Sequence, residues 1–142
     1  MTNRMKVEFD SISANEAFAR VTAAAFLAQL NPSVEEVADV KTAVSEAVTN
    51  AIIHGYQGEV HTITIEGELE GDLLTLRVRD EGVGIADIGQ AMEPLYTSRP
   101  ELERSGMGFL FMEAFMDEVL VESELGKGTC VTLRKRIGRG KD

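Results

Sequence analysis

Four short stretches carry residue types that suit a phosphorylated ligand. Glu46, Asn50 and His54 follow one another at intervals of four, and a helix would set Glu46 and Asn50 on one face. A carboxylate and an amide so placed put a general base beside an oxygen ligand for Mg2+, a hard cation that shares its shell with phosphates and water. His54 stands at the end of the same run, where capping or packing competes with a role as ligand or proton carrier. Asp80-Glu-Gly-Val-Gly84 sets a carboxylate before glycines, whose missing side chains let backbone approach a ligand closely. Arg104-Ser-Gly-Met-Gly108 precedes a helical pattern, so its free N–H groups and the helix dipole would make an anion site. It lacks the Gly-Lys-[Ser/Thr] ending of a Walker loop. Gly126-Lys-Gly-Thr129 is a tight hairpin on its own. Each stretch, taken singly, also has an ordinary reading as solvated helix face, capped turn or hairpin.

The elements that must position these residues follow from periodicity. Met5 to Asp10 alternates like a strand, and Ser13-Ala-Asn-Glu16 reads as a capping box opening an alanine-rich helix to about Leu30. Arg20 interrupts that helix; an exposed Arg among small residues suits a protein contact as well as it suits solvent. Ser33-Val-Glu-Glu36 is a second capping box, and the helix it opens carries Val37, Val40, Val44, Val48, Ala51 and Ile52 on one stripe. Glu46 and Asn50 lie opposite that stripe, and Asn is a poor choice in mid-helix, so something other than solvent should cover their face. Val60 to Arg79 reads as a hairpin broken at Glu70-Gly-Asp72. From Asp80 to Ser105 the chain has glycines, Pro94 and Pro100 and weak periodicity, which predicts a long functional loop; its part from about Asp87 to Ser105 is expected to be a lid. A helix over Gly106 to Met116 and strands over Glu118 to Ser123 and Thr129 to Lys135 complete the order β-α-α-β-β-loop-α-β-β. Strand pairs joined by short turns, with helices between them, predict an α+β fold: a two-layer α/β sandwich with a mainly antiparallel sheet and helices on one face.

With 142 residues, 44% hydrophobic and 27% charged, the chain has the composition of one globular domain. That domain is expected over residues 1–136, followed by a short basic tail, 137–142. The net charge of −10 repels phosphate backbones and excludes a direct nucleic-acid binder. No apolar run is long enough for a membrane span and the start is unlike a signal peptide, so a cytoplasmic protein with no membrane partner is expected. The one cysteine, Cys130, reads as a small buried strand residue and is assigned no chemistry.

In order and spacing, Glu46-Ala-Val-Thr-Asn50-Ala-Ile-Ile-His54, Asp80-Glu-Gly-Val-Gly84, Ser105-Gly-Met-Gly108 and Gly126-Lys-Gly-Thr129 resemble the four motifs of the GHKL ATPases, the gyrase, Hsp90, histidine kinase and MutL group. The likeness is strongest to the anti-sigma serine kinases, through Ser45-Glu-Ala-Val-Thr-Asn50, His54-Gly-Tyr56 and Pro100-Glu-Leu-Glu-Arg-Ser-Gly-Met-Gly-Phe109, and it spans about Met5 to Lys135. Ser105 stands where many wider-group members have glycine, and the loop after His54 is short.

The resemblance implies the Bergerat ATP-binding fold, with ATP and Mg2+ as cofactors. It implies that Asp80 accepts a hydrogen bond from the adenine amino group while Gly84 and Thr129 complete the pocket, and that Asn50 ligates Mg2+. Gly106 and Gly108 would present N–H groups to the phosphates, with Gly82, Ser105 and Met107 also in the nucleotide site. Arg104 would neutralise charge on the terminal phosphate, and Glu46 would orient or deprotonate a serine hydroxyl. Implied partners are a sporulation sigma factor, a STAS-domain anti-anti-sigma protein phosphorylated on serine, and a second copy in a homodimer, with Arg20 a partner-binding residue. Two other readings stand beside this one: a detached histidine-kinase-type ATPase domain, for which so short a chain lacks a phosphoacceptor helix pair, and a nucleotide-dependent module that sequesters a partner without turnover, against which Glu46 speaks.

Overall fold

The computed structural model describes residues 2–85 and 108–138. The expected lid, with Arg104, Ser105, Gly106 and Met107, lies outside the described residues, as do Arg139 and Lys141 of the tail.

Strand β1 (Thr2–Asp10) leads into helix α1 (Ala14–Leu27), which tightens into a 3-10 turn at Ala28–Leu30. Asn31 stops it in the left-handed conformation, φ 52°, just before Pro32. Helix α2 (Val34–Asn50) continues into a π-helical turn at Ala51–Gly55. Strands β2 (Thr62–Glu70) and β3 (Leu73–Asp80) form a hairpin, helix α3 (Gly108–Phe115) follows, and β4 (Glu118–Glu124) and β5 (Gly128–Arg136) close the chain. All pairs are antiparallel and the sheet order is β1-β2-β3-β5-β4.

The two capping boxes fare differently. Ser33 accepts from the Glu36 amide at 3.1 Å and the Glu36 carboxylate accepts from the Ser33 amide at 2.8 Å, so both bonds of the box form. Ser13 makes no side-chain cap, which corrects the sequence expectation. Its partner Glu16 has better donors elsewhere: Arg20 at 2.8 Å on its own helix, and the hydroxyls of Ser45 and Thr49 on α2, at 2.5 and 3.3 Å. Arg20 brings a full opposite charge that a backbone amide lacks, and the two hydroxyls staple α1 to α2. Arg20, expected to be exposed, is half-buried and held by Glu16.

The helices cover one face of the sheet. Val40, Val44 and Val48 of α2 are fully buried with Ile63 and Ile65 of β2, Leu74 and Leu76 of β3 and Leu133 of β5, each such side chain contributing about 1.5–3 kcal/mol. Gly67 is required on that face, since a Cβ there would stand 2.9 Å from the Phe26 ring of α1. Cross-strand pairs, Glu66 with Arg79 at 2.7 Å and Glu118 with Arg134 at 2.5 Å, occupy the other face, as an antiparallel sheet with one wet side demands. Cys130 belongs to that face, paired across from Arg79; it is half-buried, less enclosed than the sequence suggested. Ile137, counted with the tail, is buried and donates to the Asp72 carbonyl at 2.9 Å, while the Gly138 amide donates to Glu36 at 2.7 Å.

Candidate functional site

Asp80 is the last residue of β3, on the helix-facing side, where it pairs across the sheet with Thr129. Its residue is 9% exposed, and burial pushes its carboxyl up to about 6, although the Gly82 and Thr129 backbone amides favour the charged form. The Gly82 amide donates to Oδ1 at 2.9 Å. A carboxylate held against its desolvation cost by two amides keeps lone pairs for a further donor, which suits an exocyclic amino group.

Backbone from three elements closes on this carboxylate. A Cβ on Gly55 would come within 2.8 Å of Asp80 Oδ1, so only glycine leaves the acid its place. The Val83 amide donates to the Gly55 carbonyl at 2.9 Å, and the Gly126 amide to the Val83 carbonyl at 2.9 Å. Gly84 has φ 78° and Gly128 φ 118°, conformations that disfavour a side chain, and both face backbone of a neighbouring segment. The Ile85 amide donates to Ser123 Oγ at 2.7 Å; Ser123 in turn donates to the Gly128 carbonyl at 3.0 Å and lies 2.8 Å from Thr129 Oγ1. Ser123 has one proton, so when it bonds Gly128 the Thr129 hydroxyl is the donor of that pair, and the Thr129 oxygen keeps its lone pairs.

The second part of the site is the face of α2 opposite the valine stripe. Glu46 and Asn50 face Gly108, the first residue of α3: a Cβ there would stand 3.1 Å from Glu46 Oε2 and 3.2 Å from Asn50 Nδ2. This is the cover that the mid-helix asparagine called for. Asn50 Nδ2 is buried and has no hydrogen-bond partner among the described residues. Such a group is costly, and an amide flip can present either its oxygen or its nitrogen there. A phosphate oxygen or a hydrated cation beside Gly108 would satisfy it, so this donor set fits the polar end of a nucleotide with Mg2+.

The structure thus brings Asp80, Gly82, Gly84 and Thr129 into one cluster and Glu46, Asn50 and Gly108 into another, with the π-turn joining α2 to the Asp80 loop. Arg20 lies outside both, bonded to Glu16 and, at 3.5 Å, to Ser45 Oγ of α2. Ser123, Gly55, Tyr56 and Gly128 also build the site and were not singled out as site residues from sequence. Alternating strands hide the roles of Ser123 and Gly128, which only the register across β4 and β5 discloses.

A two-layer sandwich with a buried acid at a strand exit and a carboxylate–amide pair on the covering helix defines a nucleotide-binding ATPase domain. The histidine kinase-like ATPase domain model matches residues 11–135, and the chain belongs to that family, within its anti-sigma F factor branch. It is 58% identical to an anti-sigma F factor of Geobacillus thermodenitrificans over 99% of this chain and 97% of that one. It is 60% identical to the Clostridium beijerinckii anti-sigma F factor over 95% of each chain. The fold also matches the crystal structure of the RsbU and RsbW domains of a Mycobacterium tuberculosis protein, with a TM-score of 0.67 at 23% identity, covering 95% of this chain and 32% of that one. No described helix is long and apolar enough to cross a membrane.

Proposed function

We propose that this chain is a Mg-ATP-dependent protein serine kinase that holds a sporulation sigma factor inactive and phosphorylates a STAS-domain partner on serine, working as a homodimer in the cytoplasm. The observation that carries the reading is the buried Asn50 Nδ2, without a partner among the described residues, beside Glu46, both against the first residue of α3 and one π-turn away from the buried Asp80. The relatives' name, anti-sigma F factor, supports the sigma-factor partner.

ATP supplies the phosphoryl group when bound. Asp80 accepts from the adenine amino group, and Thr129 and Gly84 frame the ring. Asn50 would hold Mg2+, and Gly82, Ser105, Gly106, Met107 and Gly108 would receive the nucleotide. Arg104 offsets charge at the terminal phosphate. Glu46 orients the serine hydroxyl and takes its proton. These are positioning and electrostatic tasks, which dominate phosphoryl transfer. Arg20, pinned by Glu16, is offered to a protein partner from α1.

The test is incubation with γ-labelled ATP, Mg2+ and a STAS-domain protein, followed by acid treatment of the phosphoprotein. Acid-stable label on serine is expected. Acid-labile label would point to histidine transfer, and nucleotide-dependent partner binding without label to a sequestering module; either result sinks the serine-kinase reading.

A further inference from the structure

The turn that ends α2 grips the Asp80 loop at more than one point. The Tyr56 amide closes the π-turn on the Ala51 carbonyl at 2.9 Å, and the preceding Gly55 carbonyl receives the Val83 amide. The Tyr56 ring then buries itself, 6% exposed, against His61 at 5.0 Å between ring centres. Its hydroxyl donates to the Thr62 carbonyl at 2.5 Å and accepts from the Glu81 amide at 2.7 Å. Burial raises the phenol above its ordinary value, with the Asp80 charge adding to that, so the group stays protonated and serves both bonds at once.

We infer that Tyr56 is a positioning residue for adenine recognition: by tying the Glu81 amide to the start of β2, it aims the adjacent Asp80 carboxylate at the exocyclic amino group and so sets the preference for adenine. The inference deepens the nucleotide reading of the Asp80 pocket and rests on it. Asp80 is the residue before Glu81, and the amide after Glu81, that of Gly82, donates back to the same carboxylate. Two successive peptide units held in this way leave the acid little freedom. Without the hydroxyl, the Glu81 amide and the Thr62 carbonyl each lose a partner in a half-buried setting, and the loop is free to rotate toward water. Gly55, pressed against the Asp80 carboxylate, limits the space in which it can rotate, so small shifts of Glu81 change where the acid's lone pairs point. Hydrogen-bond strength depends steeply on that direction. The π-turn is the device that permits this arrangement: its wider ring places Gly55 and Tyr56 together over the exit of β3.

A fold staple and a positioning residue differ in one readout. The experiment compares affinities for ATP and for purine riboside triphosphate, in which hydrogen replaces the 6-amino group, by calorimetry on wild type, Tyr56→Phe and Asp80→Asn. Tyr56→Phe should bind ATP about tenfold more weakly while holding the analogue within about twofold of wild type, so the preference for the amino group collapses. A folded Tyr56→Phe chain that weakens both ligands equally, or neither, overturns the inference. An Asp80→Asn chain that retains the wild-type preference overturns the Asp80 reading itself, a failure recognisable because it needs no change at Tyr56. Should Tyr56→Phe not fold, hydrogen exchange on the wild-type chain decides: a Glu81 amide protected about a hundredfold is expected, and exchange at the rate of an unstructured peptide overturns the inference.

Discussion

The two halves of the site are built on opposite plans. Around Asp80 the pocket is built of backbone: Gly55, Gly82, Gly84 and Gly128 let three segments approach until their amides and carbonyls meet, and Tyr56 and Ser123 fill what is left. On α2, the candidate groups are side chains, Glu46 and Asn50, standing on a helix whose other face is the valine core. Among the described residues, the first half satisfies its buried side-chain polar atoms and the second leaves Asn50 Nδ2 without a partner. Flat, neutral adenine suits close, preformed backbone contact. Charged phosphates and a cation suit side chains that can be neutralised or ligated on arrival. Binding and chemistry should therefore come apart under mutation.

The harshest test of the backbone half is Gly128→Ala. Its φ of 118° and a Cβ 2.8 Å from the Glu81 Cα give the new methyl no room against main chain. Strain and overpacking together should cost about 3–5 kcal/mol in urea unfolding, with ATP binding lost. Near-wild-type stability with intact affinity would mean the segments are not packed as described.

On the helix half, Glu46→Gln should keep Mg-ATP affinity while phosphoryl transfer slows at least about a hundredfold. A matching loss of affinity would erase the contrast between the halves, and an unchanged rate would remove Glu46 from the chemistry.

Asp80→Asn should weaken ATP by roughly ten- to a hundredfold and yet stabilise the nucleotide-free chain. The sign follows from the carboxyl at about 6 in the fold against 3.8 in the unfolded chain. The native state binds the proton first, so unliganded stability rises as pH falls through 6 and levels off below about 4; at neutral pH the buried charge costs on the order of 3 kcal/mol, which Asn removes. ATP affinity should move the other way, weakening below pH 6 as the acceptor is protonated. Melting temperature and calorimetric affinity followed from pH 5 to 8 in both proteins check the pair; a wild-type chain with no opposed trends would show that Asp80 is not the recognising acid.

Much of this was legible in one dimension. The valine stripe at helical spacing dictated which face of α2 is core, because burial follows a period of 3.6 whatever lies above it. The misplaced asparagine on the opposite face announced a covering partner, and Gly108 is that partner. Strand alternation and the Gly71 turn fixed the β2–β3 hairpin and put Asp80 at its exit. Local pattern could not decide between Ser13 and Ser33. Both open a Ser-x-x-Glu sequence, but only Ser33 closes its box, because the hydroxyls of a second helix and Arg20 claim Glu16. Nor could it find Tyr56 or Ser123, whose hydroxyls work on amides 25 and 38 residues away. Helix period and turn chemistry are properties of neighbours in sequence, so the chain states them itself; a hydroxyl's partner is whatever the packed fold brings within 3 Å, and that is settled only when the layers close.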